Sequence, residues 1–234
     1  MPKVIAALIR HADYQQLPDT PSAHQPFPLT SEGIAQAHQA GAVLREAVVN
    51  NRWTLSSSVD SSQLLRAWQT SQIITEELFD LFPTPPQVHS FDELAERGLG
   101  SANNLTISQI EAIIRDDPRF PELPADWKSN SRFRLPLQGA ESLLDAGERV
   151  AAHLKCRMRE LVENAAADTL KLFIGHGAAF RHAAFHLGVL EYEQIAQLSM
   201  YHAQPVFLEY LSGDEWRHIG GEWKVRTKTN AYTD

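Results

Sequence analysis

Two six-residue stretches constrain this 234-residue chain more than anything else in it. Val4-Ile5-Ala6-Ala7-Leu8-Ile9 is apolar throughout, and Thr169-Leu170-Lys171-Leu172-Phe173-Ile174 is nearly so. A strand with one solvated face alternates apolar and polar residues, whereas a strand covered on both faces does not. Two such runs therefore predict a largely parallel sheet with helices on both sides. Each run stops abruptly at chemistry-bearing residues, Arg10-His11 in the first case and Gly175-His176-Gly177 in the second.

Helical periodicity fills the intervening chain. Thr30 is placed to cap a helix over Ser31–Val49 whose apolar face is Ile34, Ala37, Gly41 and Leu44. A strand is expected within Trp53–Ser61. Ser62 is then expected to cap a helix carrying Leu64, Ala67, Ser71, Ile74, Leu78 and Leu81 at helical spacing. Pro83, Pro85 and Pro86 end it, and Gln87–Phe91 reads as a short strand. Helices are expected over Thr106–Arg115, Ala140–Glu163 and Ala178–Leu187, and a hairpin over Pro205–Leu211 and Glu215–Ile219 around Ser212-Gly213-Asp214. Two stretches lack periodicity: residues 15–28, with four prolines, and residues 117–137, a proline-broken loop. The length suits one α/β domain over residues 1–234, with a loop-rich lid or insertion near 101–138.

Charge and cysteine usage narrow the partners. The formal charge of -8 argues against an extended nucleic-acid or anionic-membrane surface, so any phosphate site must be a local basic island. Cys156 is the only cysteine, which excludes an intrachain disulfide and favours a reducing, cytoplasmic setting. The apolar run at Val4–Ile9 is too short for a signal-peptide core, and no stretch approaches the length of a membrane span. The sequence leaves the oligomeric state open, a homodimer included.

In open α/β sheets ligands sit at the carboxyl ends of the strands, so His11 and His176 are expected to face one crevice. Arg66, within Ser61-Ser62-Gln63-Leu64-Leu65-Arg66-Ala67, falls in the first turn of a helix, an electropositive place. These residue types suit phosphoryl transfer without a metal. Two guanidinium forks, Arg10 and Arg66, hold the equatorial oxygens, and a neutral imidazole attacks phosphorus. The reaction also needs a carboxylic acid to protonate the leaving oxygen, and spacing does not single one out.

Several plainer or rival readings apply. His182 and His186 have metal-ligand spacing on a helix, but no third ligand accompanies them, so packing is preferred. Cys156 lacks the arginine that a cysteine-phosphatase loop places six residues on, since Val162 stands there. No aspartate-x-aspartate pair or glycine-lysine phosphate loop occurs. Lys128, Arg132 and Arg134 are read first as solvated loop charges, with closure over the distal part of a substrate as the alternative.

The segments Leu8-Ile9-Arg10-His11, Ser61 to Thr70, Leu94-Ala95-Glu96-Arg97-Gly98-Leu99-Gly100 and Gly175-His176-Gly177 together resemble the histidine phosphatase superfamily, also called phosphoglycerate mutase-like. Pro28-Leu29-Thr30-Ser31-Glu32-Gly33 and Gly139-Ala140-Glu141-Ser142 resemble its secondary motifs, in the same order. The resemblance implies a three-layer α/β/α fold with a mostly parallel central sheet. It makes His11 the phosphorylated residue and Glu96 the proton donor. Arg10, Arg66 and His176 become the phosphate pocket, with Gly177 beside them, and no cofactor is required. Where the family usually has glycine and glutamate after the arginine-histidine pair, this chain has Ala12 and Asp13. The expected activity is hydrolysis of a small phosphomonoester. Mutase-type transfer is the runner-up, and a catalytically silent binding module of the same fold is the reading from another class.

Overall fold

The structure is a computed structural model describing residues 2–226; of the expected 1–234 span, residue 1 and residues 227–234 lie outside the described ones. In chain order the main elements are β1 (Val4–Arg10), α1 (Ser31–Asn51), β2 (Thr54–Leu55), β3 (Ser58–Ser62), α2 (Leu65–Glu77) and β4 (Gln87–Phe91). They continue with α3 (Ile107–Asp116), α4 (Leu143–Asn164), β5 (Thr169–Gly175), α5 (Gly177–His186), α6 (Tyr192–Ile195), β6 (Leu198–Ser199), β7 (Pro205–Tyr210), β8 (Trp216–Gly220) and β9 (Lys224–Val225). No helix among the described residues is long and apolar enough to cross a membrane.

The main sheet runs β4-β3-β5-β1-β7-β8, with β2 also pairing β5. Pairings among β1 to β5 are parallel, while β7 lies antiparallel to β1 and β8. All seven residues of β1 and all seven of β5 are buried, which is the double-sided covering that their unbroken apolar runs predict. Alternation then sorts side chains by face. Ile5, Ala7 and Ile9 join Leu172 and Ile174 in a core under α1 and α2, and Val4, Ala6 and Leu8 join Phe173 under α4 and α5. Each fully buried Ile or Leu in these layers contributes on the order of 1.5–3 kcal/mol.

Helix boundaries follow capping chemistry. The Thr30 hydroxyl accepts from Gly33 N at the start of α1. Thr106 with Gln109 and Ser142 with Asp145 form reciprocal capping boxes on α3 and α4. Three expectations need correction. Ser62 does not cap α2; it is the last residue of β3, and the chain turns through two further residues before the helix starts after Leu64. Leu81 lies beyond α2, in a short 3-10 turn. Ile34 is exposed, because α1 is rotated so that Gly33 faces inward. A Cβ on Gly33 would lie 1.9 Å from the Asp13 carbonyl oxygen, so α1 docks on the turn after β1 only without one. Within the segment 101–138, Ala102, Ile110, Trp127 and Leu135 pack with Ala23, Leu99 and Ala140 as a third, smaller apolar cluster.

Candidate active site

Strand register alone brings the two histidines together. Arg10 pairs with Gly175, and His11 N donates to the Gly175 carbonyl at 2.9 Å, so His11 and His176 leave neighbouring strands at the same level. Ser61 pairs with Ile174 on the other side of β5, which brings Ser62 to that edge as well. The ring centroids of His11 and His176 are 5.1 Å apart, and both side chains are buried.

Arg66 ties the pair into one cluster. It is the second residue of α2 and entirely buried; its Nε donates to His11 Nε2 at 3.2 Å and its Nη2 to His176 Nδ1 at 3.2 Å. Its other contacts hold the guanidinium in plane: Nη1 donates to the Gln25 carbonyl at 2.9 Å and Nη2 to the Ala23 carbonyl at 2.8 Å. Both carbonyls belong to the proline-rich loop over residues 15–28. Tyr14 closes the cluster, its ring 4.4 Å from the Arg66 guanidinium carbon and edge-on to His11 at 5.2 Å.

The hydrogen bonds fix which nitrogen of each imidazole carries the proton. His11 Nδ1 lies 2.7 Å from the Ala12 carbonyl, which only accepts, so Nδ1 carries the hydrogen and Nε2 presents its lone pair toward Arg66. His176 Nδ1 accepts from Arg66, so its Nε2 carries the hydrogen and donates to the Ser62 hydroxyl at 2.9 Å. Electrostatics agree with two neutral rings. Burial, then the charges of Arg66 and neighbouring residues, hold both imidazoles well below their ordinary value of 6.5. Ala12, fully buried, donates its N–H to Thr70 Oγ1, and the Asp13 carboxylate accepts from the Thr30 hydroxyl at 2.7 Å. These two bonds anchor the His11 turn to α2 and α1.

Arg10 reaches the same cluster from β1, with Nη1 donating to the Met200 carbonyl at 3.0 Å. Gly177, the first residue of α5, leaves room for it: a Cβ there would lie 3.0 Å from Arg10 Cδ and 3.3 Å from its Nε. Glu96 is buried near the mouth of the cluster, close enough for its charge to act on Tyr14 and Arg66. Its Oε1 accepts from Arg97 N, and its carbonyl accepts from His24 Nε2. Thus His11, His176, Arg10, Arg66 and Gly177 converge, with Glu96 at the edge.

Other candidates separate. His182 is buried between Ser131 Oγ and the Ala178 carbonyl, its imidazole pushed down to about 3 mainly by burial, and His186 Nε2 donates to the Leu144 carbonyl. Among the described residues no group of three or more His, Cys, Asp or Glu is placed to hold a metal ion. Arg134 pairs with Asp145, Arg132 lies over the Tyr192 ring, and Lys128 turns toward the cleft that Glu96 lines.

Sequence reasoning did not identify Tyr14, Gln25, Ser62 or His202 as site residues. The His202 ring centroid is 5.6 Å from that of His11. Its position follows from topology, since β7 is antiparallel to β1 and therefore begins where β1 ends; Ala203 N still donates to the Arg10 carbonyl. A histidine shortly before a strand is a usable signal only once that pairing is known.

Comparison with known proteins adds an independent line. The model of the histidine phosphatase superfamily (branch 1) matches residues 6–219. A 2,3-bisphosphoglycerate-dependent phosphoglycerate mutase from Bacteroides fragilis is 27% identical over 203 residues, 78% of this chain and 76% of that protein. A mycobacterial glucosyl-3-phosphoglycerate phosphatase structure superposes with a TM-score of 0.65 at 21% identity, covering 96% of this chain and 97% of its own. The alpha-ribazole phosphatase from Shigella flexneri gives 0.67 at 18% identity, covering 93% and 99%. The phosphoglycerate mutase from Bacillus anthracis gives 0.69 at 14%, covering 94% and 93%. At such identities the structural likeness concerns the fold.

Proposed function

The chain belongs to the histidine phosphatase superfamily, and from that premise we propose that it hydrolyses a small phosphomonoester through a phosphohistidine on His11. The observation that carries this reading is the state of His11: a neutral ring whose Nδ1–H is held by the Ala12 carbonyl and whose Nε2 lone pair points into a pocket of guanidinium groups.

In the first step His11 Nε2 attacks phosphorus, the N–P bond forms and the P–O bond to the leaving group breaks. Arg10, Arg66 and His176 stabilise the charge spreading over the equatorial oxygens. The Glu96 carboxylic acid gives its proton to the leaving oxygen. In the second step water attacks phosphorus, the N–P bond breaks and Glu96 recovers a proton. Before attack, Arg66 Nε must exchange its bond to His11 Nε2 for one to a phosphoryl oxygen. The two carbonyl anchors at Ala23 and Gln25 keep its fork aimed while it does so.

A mutase must keep water from the phosphoenzyme, whereas a phosphatase must admit it. A cleft of about 450 Å³, lined by Arg10, Asp13, Gln36, His202 and the exposed Tyr201 among others, opens beside Arg10. This supports hydrolysis. The likeness to a phosphoglycerate mutase supports transfer as the second reading.

The test is hydrolysis of 4-nitrophenyl phosphate in the presence of a chelator, by the native protein and by His11→Ala. Turnover by the native protein and none by the variant is expected. Loss of activity on chelation, or activity surviving the substitution, overturns the mechanism. Adding a hydroxyl-bearing acceptor separates the two outcomes, since a mutase passes the phosphoryl group to it and a phosphatase releases inorganic phosphate.

A further inference from the structure

The turn that carries Ser22 is tied to both ends of the reacting site. The Ala23 and Gln25 carbonyls accept from Arg66, and His24 Nε2 donates to the Glu96 carbonyl at 2.9 Å. Gln25, whose side chain is fully buried, braces the same turn from within: its Nε2 donates to the Pro21 carbonyl at 3.0 Å and its Oε1 accepts from Leu17 N at 2.9 Å. The three residues after Ser22 are thereby pinned, which fixes Ser22 between the guanidinium that holds the phosphoryl group and the carboxylic acid.

Its hydroxyl has two surroundings. On one side it lies 2.7 Å from the hydroxyl of Tyr14, whose ring packs on Arg66 and stands edge-on to His11. On the other, Ser22 and Glu96 line a cleft of about 60 Å³, which has room for water. Burial raises the Tyr14 phenol above its ordinary 10, so it stays protonated at neutral pH. The phenol is the more acidic of the two hydroxyls and is the donor; Ser22 Oγ accepts, and a hydroxyl oxygen has a second lone pair to offer.

Direction gives that lone pair a use. An in-line displacement brings water to phosphorus from the side that the leaving group has vacated, opposite His11 Nε2. In the reading above that is the side of Glu96. For its own lone pair to face phosphorus, the water needs acceptors for both of its hydrogens. Glu96, having given its proton to the leaving oxygen, takes one. We propose that Ser22 Oγ accepts the other, with Tyr14 as the residue that positions Ser22, and that this pair orients the hydrolytic water. The O–P bond forms as the N–P bond breaks, and the N–P electron pair returns to His11 Nε2. The proton on the Glu96 side passes to the carboxylate, and the hydrogen shared with Ser22 stays on the product phosphate. The proposal rests on the phosphohistidine reading and adds to it the two side chains that favour water over another acceptor.

An alcohol separates the two roles, because its hydroxyl has one hydrogen, which Glu96 takes, and none for Ser22. Turnover of 4-nitrophenyl phosphate is therefore measured in glycerol solution, and the ratio of glycerol phosphate to inorganic phosphate is read from the products. Both products arise from one phosphoenzyme, so the ratio is independent of which step limits the rate. Ser22→Ala removes the acceptor; Tyr14→Phe removes the hydroxyl that sets it and leaves the ring on Arg66. Each is expected to raise the ratio about fivefold, the worth of one hydrogen bond. In both, kcat/KM should stay within about twofold of native, because it reports only the steps up to phosphorylation. Ser129→Ala, whose hydroxyl lines the same cleft but donates to the Asp126 carbonyl, should leave the ratio unchanged.

A ratio that does not rise in Ser22→Ala, or a kcat/KM that falls about fivefold or more, overturns the proposal, while phosphate release by the native protein keeps the phosphatase reading standing. A rise in Ser22→Ala without one in Tyr14→Phe overturns the role of Tyr14. Native protein that releases no inorganic phosphate overturns the phosphatase reading, and the assignment of Ser22 with it.

Discussion

Replacing Asp60 by asparagine tests whether a buried ionic cluster holds the strand that delivers Ser62 to the site. The Asp60 side chain is fully buried on β3, receiving Lys171 Nζ at 2.7 Å, Arg157 Nε at 2.9 Å and His153 Nε2 at 3.0 Å. Lys171 is the one charged residue in the β5 run, and alternation turns it with Phe173 toward α4, where these partners meet. Burial by itself would raise the Asp60 carboxyl; the bond from His153, the Lys171 charge and Arg157 override it and bring it down to about 2 from an ordinary 3.8. That difference corresponds to about 2 kcal/mol of folding stability. The folded value is depressed, so the contribution is complete above pH 4 and fades as pH falls through 2.

In Asp60→Asn the Lys171 ammonium keeps its bond to the Ser58 carbonyl but loses its buried counter-charge. Removing one member of a buried pair costs about 3–5 kcal/mol. Adding Lys171→Met should recover most of it, because the uncompensated buried ammonium is then removed and the substituted pair is neutral. Urea unfolding followed by tryptophan fluorescence at pH 7 measures both variants, and the series from pH 5 to pH 2 measures the acid loss. A single variant within about 1 kcal/mol of native, or a double variant no better than the single, refutes the account.

Other outcomes follow from the imidazole geometry. Nitrogen-15 NMR of the histidines at pH 6 should show His11 neutral with Nδ1 protonated and His176 neutral with Nε2 protonated; an imidazolium pattern for either contradicts the assignment. Both rings have folded values depressed below 6.5, so the unfolded chain takes up their protons first, and the urea midpoint should decline as pH drops from 7 to 5. Ser62→Ala removes the partner of His176 Nε2 and should lower kcat about fivefold, the worth of a hydrogen bond of roughly 1 kcal/mol, with KM little changed. A shift in KM alone would argue against a positioning role. Gly177→Ala pushes on Arg10 and should reduce kcat/KM about tenfold, while unfolding changes by less than about 1 kcal/mol; native activity would show that Arg10 gives way freely.

Local chemistry made much of this protein legible in its sequence. Apolar runs without polar alternation dictated doubly covered strands at Val4–Ile9 and Thr169–Ile174, and the polar residues ending them had to lie at a sheet edge. Thr30, Thr106 and Ser142 mark helix starts because their side chains satisfy backbone N–H groups within three residues. Other features depend on register and packing between distant segments. Ser62 reads as a helix cap from its neighbours, yet β3 pairing beside β5 turns its hydroxyl to His176. Ile34 has the periodicity of a core residue, yet the approach of Gly33 to Asp13 turns it to solvent. His202 comes near His11 only through the antiparallel placement of β7. The proton positions on His11 and His176, and the placing of Ser22 between Tyr14 and the cleft of Glu96, are likewise decided in three dimensions, because hydrogen bonds and charge fields act across a few ångströms whatever the separation along the chain.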